Sequence, residues 1–351
     1  MHNTIVIVVA ALLPPSASPS TTILNHETIM HIVIPDDYQD CVRHLNAFKT
    51  LAGHQVTIYN DSVTGIDALV ERFKDAEALV LTRERTAITP ALLERLPKLK
   101  IISQTGKVSN HLKVADCTAR GVAVAEGSGG PTATAELTWA LLLASMRHIP
   151  QEVARLKSGQ WQNTLGRQLK GRKLGVWAYG KIGKIVANYG KAFGMNVWVW
   201  GREGSLAAAK ADGFDAAPSR AAFFAGSDVI SLHVRLNAET RGLVTATDLA
   251  QMKADALLVN TSRAELIVSG ALEAALQAGH PGFAAVDVYE QEPVLSAKHP
   301  LLAMPNAICT PHLGYVEAGN YEMYFGDAFN NIVAFANGEA KNITNPEVLP
   351  E

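Results

Sequence analysis

The clearest structural signal in this chain is the segment Leu174-Gly-Val-Trp-Ala-Tyr-Gly-Lys-Ile-Gly183. An apolar strand pattern runs here into a glycine-containing turn, and a helical pattern follows from Ile182 to Phe193. Amide N–H groups at the start of a helix bind anions, and glycine lets the backbone come close to a phosphate. The segment therefore predicts a pyrophosphate-binding turn, with these binding residues: Tyr179, Gly180, Lys181, Ile182 and Gly183.

The turn departs from the GxGxxG pattern at its first glycine, where Ala178 stands. If this position requires a positive φ, alanine costs about 1 kcal/mol there, which a bound ligand offsets. The strand before the turn and the helix after it still favour dinucleotide binding.

A second departure follows the next predicted strand, Asn196–Trp200. An acidic residue about 20 positions beyond the glycines normally binds the ribose 2′-OH, but Gly201 occupies that position. Without the carboxylate a 2′-phosphate is not repelled, and Arg202 is placed to pair with it. The sequence therefore favours NADP. Glu203 keeps NAD as the alternative, because a small shift in register returns a carboxylate to the ribose.

Outward from this turn, β-branched runs alternate with helical patterns, which indicates an α/β fold with two doubly wound parallel-sheet domains. We predict a discontinuous substrate domain, residues 30–130 and 315–351, and an inserted Rossmann dinucleotide-binding domain, residues 131–314. The predicted strands of the first domain are His31–Pro35, Gln55–Tyr59, Ala78–Leu81, Lys100–Ser103 and Val122–Ala125. Those of the second are Lys173–Ala178, Asn196–Trp200, Asp228–His233, Ala256–Asn260, Phe283–Val288 and Ala307–Cys309.

Two longer segments connect the predicted domains. Ala133–Lys157 predicts one buried helix that carries the chain into the second domain, and Glu317–Asn337 predicts a helix that returns it to the first. Shorter amphipathic segments, Cys41–Leu51 and Pro90–Leu96, lie between strands of the first domain. With this topology we expect the active site in a cleft between the two domains, beyond the carboxyl ends of the strands.

The composition excludes several classes of protein. Of the 351 residues 48% are hydrophobic and 18% charged, with 31 basic and 33 acidic side chains. A protein that binds nucleic acid by charge needs an excess of basic residues, and a chain that is disordered by charge repulsion needs a large net charge. The near-equal numbers of basic and acidic residues fit neither class. Cys41, Cys117 and Cys309 lie far apart and match no disulfide or metal-ligand pattern. We expect no metal, no nucleic-acid or membrane partner, and reduced thiols in the cytoplasm.

The N-terminal segment imitates a secretory signal. Ile5–Leu13 is apolar, and a Ser/Thr/Pro-rich stretch follows as far as Thr22. The apolar run is too short to cross a bilayer, and no Lys or Arg precedes it. We interpret residues 1–29 as a disordered extension or a misplaced start, with the folded protein beginning at Met30.

Three reactive side chains follow three predicted strands: Arg263, Glu292 and His312. A guanidinium binds a carboxylate or carbonyl oxygen, and an imidazole exchanges the proton of a hydroxyl. A carboxylate orients that imidazole and favours its charged form. Because the carboxyl ends of parallel strands share one edge of a sheet, the three groups predict reversible hydride chemistry at a hydroxyl-bearing carbon.

Four segments, Lys173–Trp200, Val259–Arg263, Asp287–Pro293 and Thr310–Gly314, resemble the signatures of the D-isomer-specific 2-hydroxyacid dehydrogenases. That family includes phosphoglycerate, glycerate and formate dehydrogenases, and the resemblance extends from Met30 to about Gly338. It implies that Arg263, Glu292 and His312 are the catalytic residues. It also implies a homodimer formed through the cofactor domain, and further cofactor-binding residues: Thr261, Ser262, Asp287 and the segment Ser231–Val234 with His233.

The same resemblance places the substrate loop at Gln104–His111, where Gly106, Lys107 and Val108 are the candidate substrate-binding residues. The family pattern is similar to T-G-V-G-V-D-N, so Lys107 is a departure that adds a cation, as in phosphite dehydrogenases. Three charged residues, Arg83, Glu84 and Arg85, end the third predicted strand and border the same cleft.

These observations predict an oxidoreductase that interconverts a small 2-oxo acid and its D-2-hydroxy acid, with NADP preferred to NAD. Two alternatives remain at this stage. One is a phosphite dehydrogenase-like enzyme, on the strength of Lys107. The other is a dinucleotide-sensing protein resembling the transcriptional corepressors built on this fold. Turnover of a small oxo acid distinguishes the predicted dehydrogenase from these alternatives.

Overall fold

The structure is a computed structural model that describes residues 4–8 and 28–349. The chain divides into two compact units. The first unit comprises Met1–Gly130 and Ala318–Glu351, and the second unit comprises Pro131–Glu317. Each is an α/β unit on a mainly parallel sheet, which confirms the predicted fold class.

The first unit contains a six-stranded sheet in the order β1-β3-β2-β4-β5-β6. Its strands are β1 (Thr4–Val8), β2 (His31–Ile34), β3 (Gln55–Tyr59), β4 (Ala78–Leu81), β5 (Ile101–Gln104) and β6 (Ala123–Glu126). Its helices before residue 130 are α1 (Ile66–Phe73), α2 (Pro90–Leu93) and α3 (Val114–Thr118). The predicted amphipathic segment Cys41–Leu51 forms two 3-10 helices, Val42–His44 and Asn46–Leu51.

Strand β1 differs from our interpretation of residues 1–29. It pairs antiparallel with β3 along its whole length, from Thr4 opposite Tyr59 to Val8 opposite Gln55. The run Thr-Ile-Val-Ile-Val is rich in β-branched residues, which favour strands, and β3 is the edge strand that receives it. A disordered extension is therefore the wrong description for residues 4–8; the Ser/Thr/Pro-rich stretch lies outside the described residues.

The second unit contains a seven-stranded parallel sheet in the order β13-β12-β11-β10-β7-β8-β9. Its strands are β7 (Lys173–Trp177), β8 (Asn196–Trp200), β9 (Asp215–Ala216), β10 (Val229–Leu232), β11 (Leu257–Asn260), β12 (Phe283–Val286) and β13 (Ala307–Cys309). Its helices are α4 (Thr132–Met146), α5 (Ile149–Lys157), α6 (Lys181–Ala192), α7 (Glu203–Ala211), α8 (Arg220–Gly226), α9 (Ala246–Ala250) and α10 (Ala271–Ala278), with 3-10 helices Ala264–Leu266 and Pro300–Ala303. Helix α11 (Ala318–Ala336) and the 3-10 helix Pro346–Val348 belong to the first unit.

The predicted single helix Ala133–Lys157 is wrong, because the structure has two helices there, α4 and α5. His148 between them has a φ of 53°, a left-handed conformation that ends a right-handed helix. Pro150 follows, and its missing N–H suits only the first turn of a new helix. The ring of His148 packs at 5.5 Å from that of Phe283, which holds the break in place.

From β7 the chain continues to β8 and β9 on one side of the second sheet, and from β10 it continues to β11, β12 and β13 on the other side. The strand order therefore reverses between β7 and β10. Parallel α/β sheets bind ligands beyond the carboxyl ends of the strands at such a reversal. The turn after β7 and the segments after β10, β11, β12 and β13 therefore all begin at this edge. No helix within 4–8 and 28–349 has the length and apolar character needed to cross a membrane.

Candidate active site

The turn after β7 is strained where the sequence lacks its first glycine. Ala178 has a φ of 74°, a conformation normally occupied by glycine, and its N–H donates to the Trp200 carbonyl at 2.7 Å. A Cβ on Gly183 would lie 2.1 Å from the Ala178 carbonyl oxygen. Helix α6 therefore lies so close to the turn that only glycine fits at this position. A Cβ on Gly180 would meet no atom within 4 Å, so space remains beside the turn.

We expect Ala178→Gly to raise the free energy of unfolding by about 1 kcal/mol, because the gain from relieving a positive φ exceeds the flexibility that glycine adds to the unfolded chain. Urea unfolding of the full chain measures this. The control is Ala208→Gly, at an exposed position of α7, which should lose about 1 kcal/mol. Equal losses in both variants would contradict the strain at Ala178.

The side chains of the turn are largely committed to packing. Tyr179 is 7% exposed, and its hydroxyl donates to Asp212 Oδ2 at 2.9 Å. Ile182 packs against the core, so both residues offer a ligand mainly their backbone. Lys181 is exposed at the first position of α6 and is the one residue of the three with a side chain open to an anion.

His233, at the end of β10, offers a buried polar atom. Its Nε2 is 2.9 Å from Ser231 Oγ, whereas its Nδ1 is buried without a hydrogen-bond partner among the described residues. Burial lowers the pKa of His233 to about 4, so the ring is neutral near pH 7. An unpartnered buried nitrogen is the kind of group that a bound ligand satisfies, so this residue and the open turn at Gly180 fit a dinucleotide.

The residues after β8 lie against the same turn. A Cβ on Gly201 would be 3.5 Å from Ala178 Cα, which brings the end of β8 beside the phosphate turn. Arg202 is the exposed N-cap residue of α7, and Glu203 is exposed in its first turn. A guanidinium and a carboxylate are therefore both available here, while position 201 carries no side chain.

His312 and Glu292 are brought together. His312 Nδ1 is 2.6 Å from Glu292 Oε2, and the two side chains are 23% and 33% exposed. Glu292 Oε1 accepts the backbone N–H of Tyr289 at 2.9 Å, which fixes the carboxylate. His312 has a φ of 51°, and its ring packs edge-on at 5.4 Å from that of Tyr315. The pair has the geometry of an imidazole oriented by a carboxylate, with Nε2 left for proton exchange.

Asp287, which we predict to line the cofactor, is hydrogen-bonded within the protein. It is fully buried, and Oδ1 accepts from Thr310 Oγ1 at 2.6 Å and from the Leu313 N–H at 2.7 Å. Oδ2 accepts the Gly314 N–H at 2.8 Å. Burial raises the pKa of Asp287, and these hydrogen bonds oppose that rise. In the structure Asp287 anchors the segment that carries His312.

Arg263 lies at the end of the loop that follows β11. Asn260 Nδ2 donates to the Arg263 carbonyl at 2.9 Å, and Asn260 Oδ1 accepts the Ser262 N–H at 3.0 Å. Arg263 Nη1 donates to the Ser262 carbonyl at 2.6 Å. The amide of Asn260 thus shapes the loop, and the guanidinium is held against its own backbone.

The hydroxyls of Thr261 and Ser262, both predicted cofactor residues, have partners within the protein. Thr261 Oγ1 is 2.7 Å from Thr138 Oγ1 of α4. Ser262 Oγ donates to the Leu232 carbonyl at 2.7 Å, which ties this loop to the end of β10. Both hydroxyls therefore connect elements of the second unit.

The predicted substrate loop lies in the first unit, after β5. Gly106 has a φ of 82°, the left-handed region that glycine tolerates. Glu126 satisfies the next two residues: Oε1 accepts the Val108 N–H at 2.7 Å, and Oε2 is 2.9 Å from Lys107 Nζ. The extra cation is balanced by a carboxylate, and the Val108 amide that we predict to bind substrate is already bonded.

Arg83 is a candidate that the sequence places only at the border of the site. Its Nη1 donates to the Thr105 carbonyl at 3.1 Å, and a Cβ on Gly106 would lie 2.2 Å from that nitrogen. The guanidinium thus rests directly on the substrate loop. The sequence indicates this role only by the position of Arg83 after β4, since ligands in this fold bind beyond the carboxyl ends of the strands.

Comparison with known proteins places these features in a family. Residues 139–314 match the family model for the NAD binding domain of D-isomer specific 2-hydroxyacid dehydrogenases. The matched range contains the phosphate turn, Arg263, Glu292 and His312. The chain belongs to this family. It is a D-2-hydroxyacid dehydrogenase that uses a nicotinamide dinucleotide, which confirms the resemblance of the signature segments.

Relatives of this dehydrogenase carry different names. A glyoxylate reductase of Thermococcus litoralis is 35% identical over 292 residues, 80% of this chain and 87% of the relative. A D-3-phosphoglycerate dehydrogenase of Methanocaldococcus jannaschii is 37% identical over 251 residues, 71% of this chain and 47% of the relative. The crystal structure of a phosphoglycerate oxidoreductase from Vibrio cholerae O395 has a TM-score of 0.86 at 56% identity, covering 88% of this chain and 99% of that one.

Proposed function

We propose that this dehydrogenase interconverts a small 2-oxo acid and its D-2-hydroxy acid, with NADP(H) preferred to NAD(H). The observation that carries the proposal is the contact of 2.6 Å between His312 Nδ1 and Glu292 Oε2, on segments that follow neighbouring parallel strands. A relative named glyoxylate reductase supports a small substrate.

The roles of the residues follow from their chemistry. A bound reduced nicotinamide supplies the hydride for the carbonyl carbon of the oxo acid. Protonated His312 gives its Nε2 proton to the carbonyl oxygen, while Glu292 holds Nδ1 and balances the positive charge of the ring. Arg263 binds the substrate carboxylate or carbonyl oxygen through charge-assisted hydrogen bonds. In the oxidation direction, neutral His312 accepts the hydroxyl proton.

The substrate loop supports a carboxylate rather than phosphite in this proposal. Lys107, the residue that suggests phosphite, pairs with Glu126 at 2.9 Å and so adds no net charge. We infer that the backbone N–H groups of Gly106 and Lys107, together with the Arg83 guanidinium on the loop, hold the carboxylate. The Val108 amide is not part of this set, because Glu126 uses it.

The experiment that tests the proposal is the initial rate of NADPH and NADH consumption by the full chain. The substrates are glyoxylate, hydroxypyruvate, pyruvate and bulkier 2-oxo acids, with phosphite and NADP⁺ as a separate assay. Turnover of small oxo acids at ordinary enzyme rates supports the proposal. Turnover of phosphite alone, or cofactor binding without any turnover, would refute it.

We expect Arg202→Ala to weaken NADPH binding by about 10- to 100-fold and NADH binding little, since a charge-assisted hydrogen bond to a 2′-phosphate contributes about 1.5–3 kcal/mol. Titration of the intrinsic tryptophan fluorescence with each cofactor measures the two dissociation constants. The matched control is Glu203→Gln, which removes the neighbouring carboxylate. Equal losses for both cofactors in Arg202→Ala would contradict the preference for NADP.

A homodimer is part of the proposal. None of the residues of α5 is buried, and Ile149, Val153 and Leu156 lie about one helical turn apart on one face. Trp161 and Leu165, just beyond the helix, are 74% and 94% exposed. Large apolar side chains exposed close together in the chain are typical of a protein interface, and a second copy of this chain is our proposed occupant. Sedimentation velocity measures the oligomeric state.

We also infer a reducing compartment such as the cytoplasm. Cys41, Cys117 and Cys309 are all free thiols, and burial raises the pKa of each. Unreactive, unpaired thiols are typical of proteins in a reducing environment.

A further inference from the structure

Tyr289 is hydrogen-bonded to Glu292 directly and is linked to His312 through a shared acceptor oxygen. Its backbone N–H donates to Glu292 Oε1, the oxygen that His312 does not use. Its hydroxyl donates to the carbonyl oxygen of Thr310 at 3.0 Å. The same carbonyl accepts the backbone N–H of His312 at 3.0 Å. The phenol of Tyr289 and the backbone of His312 are therefore joined through one acceptor oxygen.

This shared oxygen lies in a segment without regular structure. Residues 310–314 follow β13 and form neither helix nor strand. His312 has a φ of 51°, which a residue with a Cβ adopts only when its surroundings hold it there. Asp287 fixes Thr310 Oγ1 and the two amides after His312, and the Thr310 N–H donates to the Val286 carbonyl at 2.9 Å. The Thr310 carbonyl is a further attachment point of this segment, and it is the one that accepts the His312 N–H.

The phenol is well placed for this task. Tyr289 is 8% exposed, and its ring packs edge-on at 5.0 Å from that of His299. Burial raises the pKa of Tyr289, so the hydroxyl keeps its proton and donates throughout the working pH range. Phenylalanine would fill the same space without the donor.

We infer that Tyr289 is a positioning residue for His312. Its hydroxyl holds the Thr310 carbonyl and, through it, the His312 backbone, so that the ring keeps Nδ1 on Glu292. The inference rests on the proposed role of His312 as the proton donor.

The test is Tyr289→Phe in the full chain, assayed with glyoxylate and NADPH. We expect kcat to fall about 3- to 10-fold, the range that one neutral hydrogen bond represents, with KM for both reactants unchanged. The control is Tyr59→Phe in the first unit, where the ring packs under the Arg72 guanidinium at 4.4 Å. That variant should keep the kcat of the unmodified protein.

Two further measurements separate positioning from general support of the fold. In a Glu292→Ala background the pair is already broken, so Tyr289→Phe should have almost no additional effect on kcat. A structural role would give the same fold-loss in both backgrounds. In ¹⁵N-histidine NMR, the Nδ1 resonance of His312, assigned by its loss in His312→Ala, should move in Tyr289→Phe.

An unchanged kcat, equal losses in the two backgrounds, or an unmoved Nδ1 resonance would each overturn the inference. If His312→Ala retains full turnover, the proposed role of His312 fails instead. The NMR signal then still decides whether Tyr289 aligns the ring, because it does not depend on catalysis.

Discussion

Replacing His312 with alanine is expected to lower kcat for oxo-acid reduction by about 10²- to 10⁴-fold, the usual contribution of a positioned general acid. The physical reason is that the carbonyl oxygen gains negative charge as hydride arrives, and His312 is the group that we propose protonates it. Affinity for the cofactor should change little, because the ring is held by Glu292 and Tyr315 rather than by the phosphate turn.

Stopped-flow absorbance at saturating glyoxylate and NADPH measures this loss. The control is His44→Ala, an exposed histidine in a 3-10 helix of the first unit, which should retain full turnover. Equal kcat for His312→Ala and the unmodified chain would remove His312 from the reaction.

Arg263→Ala should lower kcat by roughly 10²- to 10³-fold and raise KM for the oxo acid, because a charged donor aimed at developing charge contributes on this scale. Arg263→Lys should recover only part of the loss, since lysine keeps the charge but not the planar pair of donors. Steady-state kinetics over a range of glyoxylate concentrations separates the two parameters.

Arg241→Ala is the matched control, because this arginine lies in the same unit with its side chain 58% exposed. If Arg263→Ala and Arg241→Ala have the same kinetics, Arg263 does not contact the substrate. A raised KM with unchanged kcat would reduce its role to binding alone.

Local patterns predict most of this fold because strands and turns depend on neighbouring residues. The six predicted strands of the second unit are all present, and Gln55–Tyr59 and Ala78–Leu81 have the predicted bounds. The positive φ at Ala178 follows from the glycine pattern alone. Strand β9 has two residues, which is too short to produce a periodic signal.

Contacts between distant segments are the part that the sequence leaves out. Glu126 reaches Lys107 and Val108 from a neighbouring strand, and nothing in the loop's own residues indicates this carboxylate. The signature segments identify Glu292 and His312 as a pair, but not the hydrogen bond from the Tyr289 hydroxyl to the Thr310 carbonyl. Hydrogen-bond partners from distant segments are set by the three-dimensional packing, and a local sequence pattern does not show that packing.

Strand β1 affects how the protein behaves in solution. A shortened chain beginning at Met30 would leave the backbone N–H and C=O groups on one side of β3 without their partners in residues 4–8. Such an edge pairs readily with the same edge of another molecule, so the shortened chain should associate and precipitate as its concentration rises. We therefore expect the N-terminal strand to keep the protein soluble, and preparations for kinetics or crystallisation should retain it.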